Sequence, residues 1–225
     1  VRWWREGYFS STGECFDIGG TVHKALQRYL ETGNPFSGPT HPRSAGNGSI
    51  MRLTPVPMYF AVDMEKVIHF AAESSRTTHG TAEAVDACKL FGVMIAMALD
   101  GNKKEAILFE TDKYLDWNNL SPKIRESAAG EYQNKSGEEI VGSGYVVKSL
   151  EAALWVFHTT GSYEEAILSA VNLGNDADTT GVVVGQLAGA YYGAESIPGG
   201  WLEKLKYKDL IEKLAIRLYE NRLTR

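Results

Sequence analysis

The chain has 225 residues, 44% of them hydrophobic, which is enough apolar mass for a sizeable core in one domain and excludes a disordered chain. A net charge of −5, with Lys and Arg scattered along the chain, excludes a basic face for nucleic acid or for insertion into an anionic membrane. Two cysteines, Cys15 and Cys88, without metal-binding spacing, and no signal peptide or spanning apolar run, lead us to expect a cytoplasmic protein with Cys88 in its core.

In chain order, residues 1–15 carry Trp3, Trp4, Tyr8 and Phe9, too aromatic for a free tail, and are expected to pack on the domain. Ile18, Val22, Ala25, Leu26, Tyr29 and Leu30 recur at helical spacing, with Asp17 placed to cap the helix and Gly33 to stop it. Residues 34–49, rich in Pro, Gly, Ser and Asn, read as an ordered loop ending in Gly46-Asn47-Gly48-Ser49. Glycines on both sides of Asn47 let successive N–H groups turn inward as an anion-binding nest, especially if a helix starts at Ser49 or Ile50.

Asp63 is set to cap a helix over 64–74, and Ser75-Arg76-Thr77-Thr78-His79-Gly80 follows as a polar turn. The strongest helix spans 82–99, with Val85, Cys88, Phe91, Ile95 and Leu99 on one stripe and a stop at Gly101. His79 sits near that helix start, where a capping or loop role and a ligand contact are both open. Helical periodicity covers 103–117, and Ser121-Pro122 opens a further helix to about Tyr132. Residues 137–144 read as flexible, with room for at most a very short strand from Gly144. Ser149 is set to cap a buried helix over 150–157, and Ser162-Tyr163-Glu164-Glu165 is a capping box for a helix to about Leu173.

That helix leads into Gly174-Asn175-Asp176-Ala177-Asp178-Thr179-Thr180. Gly174 and Asn175 tolerate positive φ and permit a bend that brings two carboxylates and a hydroxyl together. Such an all-oxygen set suits Mg²⁺, Mn²⁺ or Ca²⁺, and the same residues also suit an N-cap. Both readings stand at this point. Beyond the turn, Gly181, Gly185, Gly189 and Gly193 repeat every four residues and form a smooth helix face for close packing on a neighbour. A final amphipathic helix over 207–222, with Leu210, Ile211, Leu214, Leu218 and Tyr219, is expected to cover the surface. The sum is about eight or nine helices in a single domain over 1–225, an all-α globular bundle.

Several blocks resemble the ADP-ribosylglycohydrolase family, in the order that family has them. They are Phe16-Asp17-Ile18-Gly19-Gly20-Thr21; Gly46-Asn47-Gly48-Ser49-Ile50-Met51-Arg52 with Pro55; Ser75-Arg76-Thr77-Thr78-His79; Gly144-Tyr145-Val146 with 149–155; and Gly174-Asn175-Asp176-Ala177-Asp178-Thr179 before 189–193. The resemblance, which is to the dinitrogenase-reductase-activating type of glycohydrolase, covers nearly the whole chain. It implies a compact multi-helix orthogonal bundle with two Mg²⁺ or Mn²⁺ ions at the base of a cleft for ADP-ribose. Carried over by motif, Asp176, Asp178 and Thr179 are implied metal ligands. Gly46, Asn47, Gly48 and Ser49 are implied to lie on the ribose and diphosphate, His79 to contact the nucleotide, and Gly144 and Tyr145 to wall the cleft. Asp17 matches a carboxylate near the scissile ribose, implying a catalytic acid/base or ribose-positioning role.

The family pattern also has an N-terminal Thr-Asp-Asp cluster, which 1–225 does not contain, and the chain starts at Val1 rather than Met. We therefore expect a domain lacking its N-terminal metal-ligand segment. Gly20 departs as well, standing where some relatives carry a polar residue. The implied activity is hydrolysis of the bond between ADP-ribose and an acceptor such as an arginine side chain of a modified protein. The alternatives are a non-catalytic ADP-ribose binder and a fold retained only as a stable body.

Overall fold

A computed structural model describes residues 1–222, and among these no β-strand forms. The α-helices are α1 (Arg2–Glu6), α2 (Gly20–Thr32), α3 (Pro55–Phe60), α4 (Met64–Arg76), α5 (Ala82–Leu99), α6 (Lys104–Phe109), α7 (Pro122–Ala128), α8 (Val146–Thr159), α9 (Tyr163–Asn172), α10 (Ala177–Tyr192), α11 (Gly199–Leu202) and α12 (Lys208–Arg222). Short 3-10 turns join them, including one over Asn47–Arg52.

The bundle is built around α5, whose residues from Ala84 to Ala98 are buried except Lys89. It is a central helix covered on all sides rather than a helix with one apolar stripe, because α4, α8 and α10 all pack on it. Burying each large side chain, such as Phe91 or Ile95, contributes about 1.5–3 kcal/mol. Gly92 lets α4 come close, since a Cβ there would sit 3.3 Å from Ala71 Cβ and 3.4 Å from Val67 Cγ1. The glycine repeat of α10 serves the same purpose against α9: Cβ atoms on Gly181 and Gly185 would lie 3.1 Å from Val171 Cγ1 and 3.2 Å from Ile167 Cδ1. α10 thereby holds its N-terminal turn firmly against the core.

Local sequence rules account for several helix ends. Asp63 caps α4 through Lys66 N, Ser162 caps α9 through Glu165 N, and Pro122 stands at the first position of α7. Other expectations are corrected. Asp17 does not cap α2, which begins at Gly20 behind Gly19; Asp17 itself has φ +46° and forms part of the preceding turn. Ser149 is no cap either but lies fully buried inside α8, which starts earlier because the carbonyl of Ala45 accepts from Val146 N at 3.0 Å. The periodic stretch 103–117 breaks after Phe109, where Trp117 Nε1 folds back to donate to Thr111 Oγ1 at 3.1 Å. α7 ends at Ala128, ahead of Gly130 in the left-handed region, instead of reaching Tyr132.

The aromatic N-terminal segment does pack on the domain. Trp4 meets His23 edge-on at 4.8 Å, and Tyr207 Oη donates to Ser10 O at 3.1 Å. α12 lies over α3 with Leu210 and Leu218 half-buried, while Ile211, Leu214 and Tyr219 stay exposed. Among the described residues no helix is long and apolar enough to cross a membrane.

Candidate functional site

Three segments far apart in sequence meet in front of α5. The glycine loop lies alongside the start of α8: Gly46 and Tyr145 form an isolated antiparallel bridge, and Asn47 N donates to Gly144 O at 2.9 Å. This pairing aims the Asn47 side chain inward. Its Nδ2 donates to Asp176 Oδ2 at 2.6 Å and to Ser143 O at 3.0 Å, with Ser149 Oγ at 3.4 Å. Along this seam a side chain is excluded at Gly142 but tolerated at Gly144. A Cβ on Gly142 would lie 2.8 Å from Gly174 O and 2.9 Å from Thr180 Oγ1, and one on Gly144 would meet Asp176 Oδ2 at 3.9 Å. Gln186 of α10 anchors the far end of the loop, accepting from Thr54 N and Oγ1 and donating to Ile50 O.

The Asp-rich turn has the expected bend, with φ of +72° at Gly174 and +52° at Asn175. Asp176 occupies the N-cap position of α10, yet its side chain makes no capping bond and turns to Asn47 instead. The capping explanation therefore fails for Asp176. Asp178 is exposed in the first turn of α10, Thr179 is buried beside it, and Thr180 donates back to Asp176 O at 2.7 Å. All donors in this turn are oxygens. Among the described residues, no three His, Cys, Asp or Glu side chains come together as a metal cluster.

His79 lies behind the glycine loop and is 2% exposed. Cβ atoms on Gly46 and Gly48 would each lie 3.2 Å from its Nε2, so the two glycines let the loop backbone close against that edge of the ring. Its backbone is held at both ends, His79 N donating to Ser75 O at 2.7 Å and Ser75 Oγ donating to His79 O at 2.9 Å. Burial, assisted by the nearby Arg52 charge, pushes the imidazole down to about 4, so it is neutral at physiological pH. Gly38 and Gly80 pack backbone to backbone beside it: a Cβ on Gly38 would be 2.6 Å from His79 N.

Tyr145 is fastened at its hydroxyl, which donates to Glu83 Oε2 at 2.7 Å and accepts from Lys123 Nζ at 2.9 Å. It also lines a cavity of about 260 Å³ with Tyr132, Lys148 and Glu151. Ser49 is buried next to Cys88, whose thiol is pushed up to about 11 by burial, so that cysteine is an inert core group. Asp17 is exposed on the turn before α2, and Val22 of α2 faces Gly48. The structure thus brings Gly46, Asn47, Gly48, Ser49, His79, Gly144, Tyr145 and Asp176 together, with Asp178 exposed and Thr179 buried in the first turn of α10, and it leaves Asp17 as an exposed carboxylate with no hydrogen bond to them among the described residues. Sequence reasoning missed Arg52, Thr78, Glu83, Lys123 and Gln186 as supports. Arg52 and Thr78 stand inside the quoted motifs, whereas nothing in the sequence marks Glu83, Lys123 or Gln186.

Comparison with known proteins places the chain in a family. The family model described as ADP-ribosylglycohydrolase matches residues 1–225. The chain is 40% identical over 220 residues to the ADP-ribosylarginine hydrolase Tri1 of Pseudomonas putida (strain GB-1), covering 98% of this chain and 58% of that protein. It is 30% identical over 192 residues to an ADP-ribosyl-dinitrogen-reductase glycohydrolase of Rhodospirillum rubrum, covering 85% and 61%. A solved structure titled ADP-ribosylglycohydrolase-related protein complex superposes with a TM-score of 0.81 at 40% identity, over 91% of this chain and 69% of that one. The chain thus spans about three fifths of the length of these curated relatives. With the family model matched throughout and the helical bundle shared, the chain belongs to the ADP-ribosylglycohydrolase family.

Proposed function

We propose that this protein hydrolyses the glycosidic bond between ADP-ribose and an acceptor, with an arginine side chain of a modified protein as the leading candidate. The observation that carries this is the 2.6 Å bond from Asn47 Nδ2 to Asp176 Oδ2, which joins the glycine loop to the Asp-rich turn across 129 residues. The Asn47 N–H is taken by Gly144 O, so the loop is not an open row of N–H donors. The Gly48 and Ser49 N–H groups at the start of the 3-10 turn are the ones proposed for a diphosphate, beside a turn that offers oxygens to a cation. The relatives named as ADP-ribosylarginine hydrolase and dinitrogen-reductase glycohydrolase support the substrate class.

Hydrolysis breaks the bond from ribose C1″ to the acceptor, builds oxocarbenium character on the sugar, adds a water oxygen and requires a proton on the leaving group. In this reading residues 46–49 cradle the diphosphate and ribose, and His79 donates to a substrate oxygen from below. Tyr145, clamped by Glu83 and Lys123, bounds the cleft, and the Asp17 carboxyl handles the proton. Asp176, Asp178 and Thr179 fit Mg²⁺ or Mn²⁺ by donor chemistry, and the Asp176 side chain is not spent on capping. As a part of a two-ion shell, they would hold metal that orients the ribose hydroxyls and stabilises developing charge.

A second reading, an ADP-ribose binder without turnover, is favoured by one observation: no three metal-ligating acidic, His or Cys side chains come together among the described residues. One experiment separates the two. The full-length protein is incubated with ADP-ribosylated arginine in Mg²⁺ or Mn²⁺, and ADP-ribose release is followed, with calorimetric titration of ADP-ribose alongside. Release that is abolished by Asp176→Ala supports the hydrolase. Saturable binding with no release supports the binder, and absence of both sinks the ADP-ribose reading altogether.

A further inference from the structure

His79 has a hydrogen bond to its Nδ1 that sets the direction of the whole ring. Thr78 Oγ1 lies 2.9 Å from His79 Nδ1, and the same hydroxyl oxygen accepts from Arg52 Nη2 at 2.8 Å. A guanidinium can only donate, so Thr78 Oγ1 is an acceptor toward Arg52, and its one hydrogen is left for Nδ1. The reverse arrangement, with Nδ1–H donating to Thr78, would leave the hydroxyl hydrogen of this 9%-exposed residue without an acceptor among the described residues. The neighbouring Thr77 is arranged in the same sense: its Oγ1 accepts from Arg52 Nη2 at 3.0 Å and donates to Ser74 O at 2.7 Å. With Nδ1 accepting and the ring neutral, the proton resides on Nε2. That atom has no hydrogen-bond partner among the described residues, and it lies against Gly46 and Gly48 of the loop.

We propose that Arg52 and Thr78 are positioning residues that hold His79 as the Nε2–H tautomer, so that the ring presents a fixed donor to an acceptor oxygen of ADP-ribose bound at the Gly46–Gly48 loop. The chain of donors runs one way, Arg52 to Thr78 to His79 to ligand, and each step is a single hydrogen bond. The placement of the ligand rests on the glycohydrolase reading above, whereas the tautomer rests on hydrogen-bond geometry alone. A neutral donor suits a buried position, because an imidazolium there would carry a desolvation cost. An oriented donor discriminates by what it leaves unpaired: a ligand that lacks the matching oxygen leaves Nε2–H stranded.

The test is nitrogen-detected NMR of the full-length protein labelled with ¹⁵N-histidine at pH 7, with the His79 signals assigned by their loss in His79→Gln. The expected spectrum has the proton on Nε2 and a bare, hydrogen-bonded Nδ1; a spectrum with the proton on Nδ1, or on both nitrogens, overturns the proposal. Arg52→Met frees Thr78 Oγ1 to accept from Nδ1–H and should move both ring signals toward tautomer averaging, with ADP-ribose binding weakened about tenfold, as for one lost hydrogen bond. Thr78→Val should do the same and Thr78→Ser should restore the wild-type pattern, a rescue that a merely structural contact has no reason to show in the ring signals. Unchanged ring signals in both Arg52→Met and Thr78→Val refute the relay. If a variant fails to fold, the wild-type spectrum alone decides the tautomer. An Nε2–H spectrum in a protein that binds no ADP-ribose upholds the tautomer and removes the functional reading instead.

Discussion

Replacing Asn47 by Asp tests the junction at the centre of the site with a change of a few atoms. Asn47 is 8% exposed, and its amide nitrogen serves Asp176 Oδ2 at 2.6 Å and Ser143 O at 3.0 Å. Losing a hydrogen bond to a charged partner costs about 1.5–3 kcal/mol, and Asn47→Ala should show a deficit of that order that is the same at pH 5 and pH 7. Asn47→Asp adds a second carboxylate within contact distance of Asp176. Two such charges at an effective dielectric of 20 repel by about 4 kcal/mol at 4 Å. The repulsion is capped by protonation, since the pair can share one proton, and holding a proton at pH 7 on a carboxyl of ordinary pKa near 4 also costs about 4 kcal/mol. The sign follows from the raised folded pKa of the new acid. Its folded form binds more protons than the unfolded chain, so stability is recovered as pH falls and lost as pH rises. Urea unfolding in EDTA, so that no cation shields the pair, should therefore find Asn47→Asp about 4 kcal/mol or more below wild type at pH 7, with about 2–3 kcal/mol of the deficit recovered by pH 5. A deficit that is the same at pH 5 and pH 7, or no larger than that of Asn47→Ala, would show that Asn47 and Asp176 are not in contact.

Two further outcomes follow from the same region. Because burial pushes His79 down to about 4, against an ordinary value near 6.5, the unfolded chain binds the extra proton between these pH values. Stability contributed by the neutral ring is complete above pH 6.5 and falls by about 3 kcal/mol as pH drops to 4; His79→Gln should flatten this part of the curve of unfolding free energy against pH, and an unchanged slope would count against a buried neutral ring. Gly38→Ala should destabilise by about 2 kcal/mol or more through overpacking, since its Cβ would meet backbone atoms of His79, Arg76 and Gly80 at 2.6–2.7 Å. Gly33→Ala, where φ is +70° and no atom lies within 4 Å, should cost only the left-handed strain of about 1–2 kcal/mol. Thermal or urea unfolding of the two variants would refute the close-packing account if Gly33→Ala were the worse.

The helical class, the caps at Asp63 and Ser162, the bend at Gly174-Asn175 and the smooth face of α10 were all legible in the residues alone. Each of these depends on neighbours a few residues away, through helical periodicity, side-chain capping or tolerance of positive φ. Family motifs in the sequence also singled out Gly46, Asn47, Gly48, His79, Tyr145 and Asp176, which the fold brings together. Tertiary structure decided what the local rules left open. Asp176, Ser149 and Asp17 all belong to residue types that cap helices well, yet none of them caps one here. Asp176 takes its bond from Asn47, 129 residues away, and Ser149 is buried beneath that same side chain; Asp17 sits in a left-handed turn ahead of α2. A local cap and a distant partner compete for the same oxygen at similar energy, about 1 kcal/mol, so the outcome belongs to packing. The direction of the Arg52–Thr78–His79 chain was hidden for the same reason. It depends on Arg52 reaching a turn 26 residues further along the chain, and only the folded bundle puts the two together.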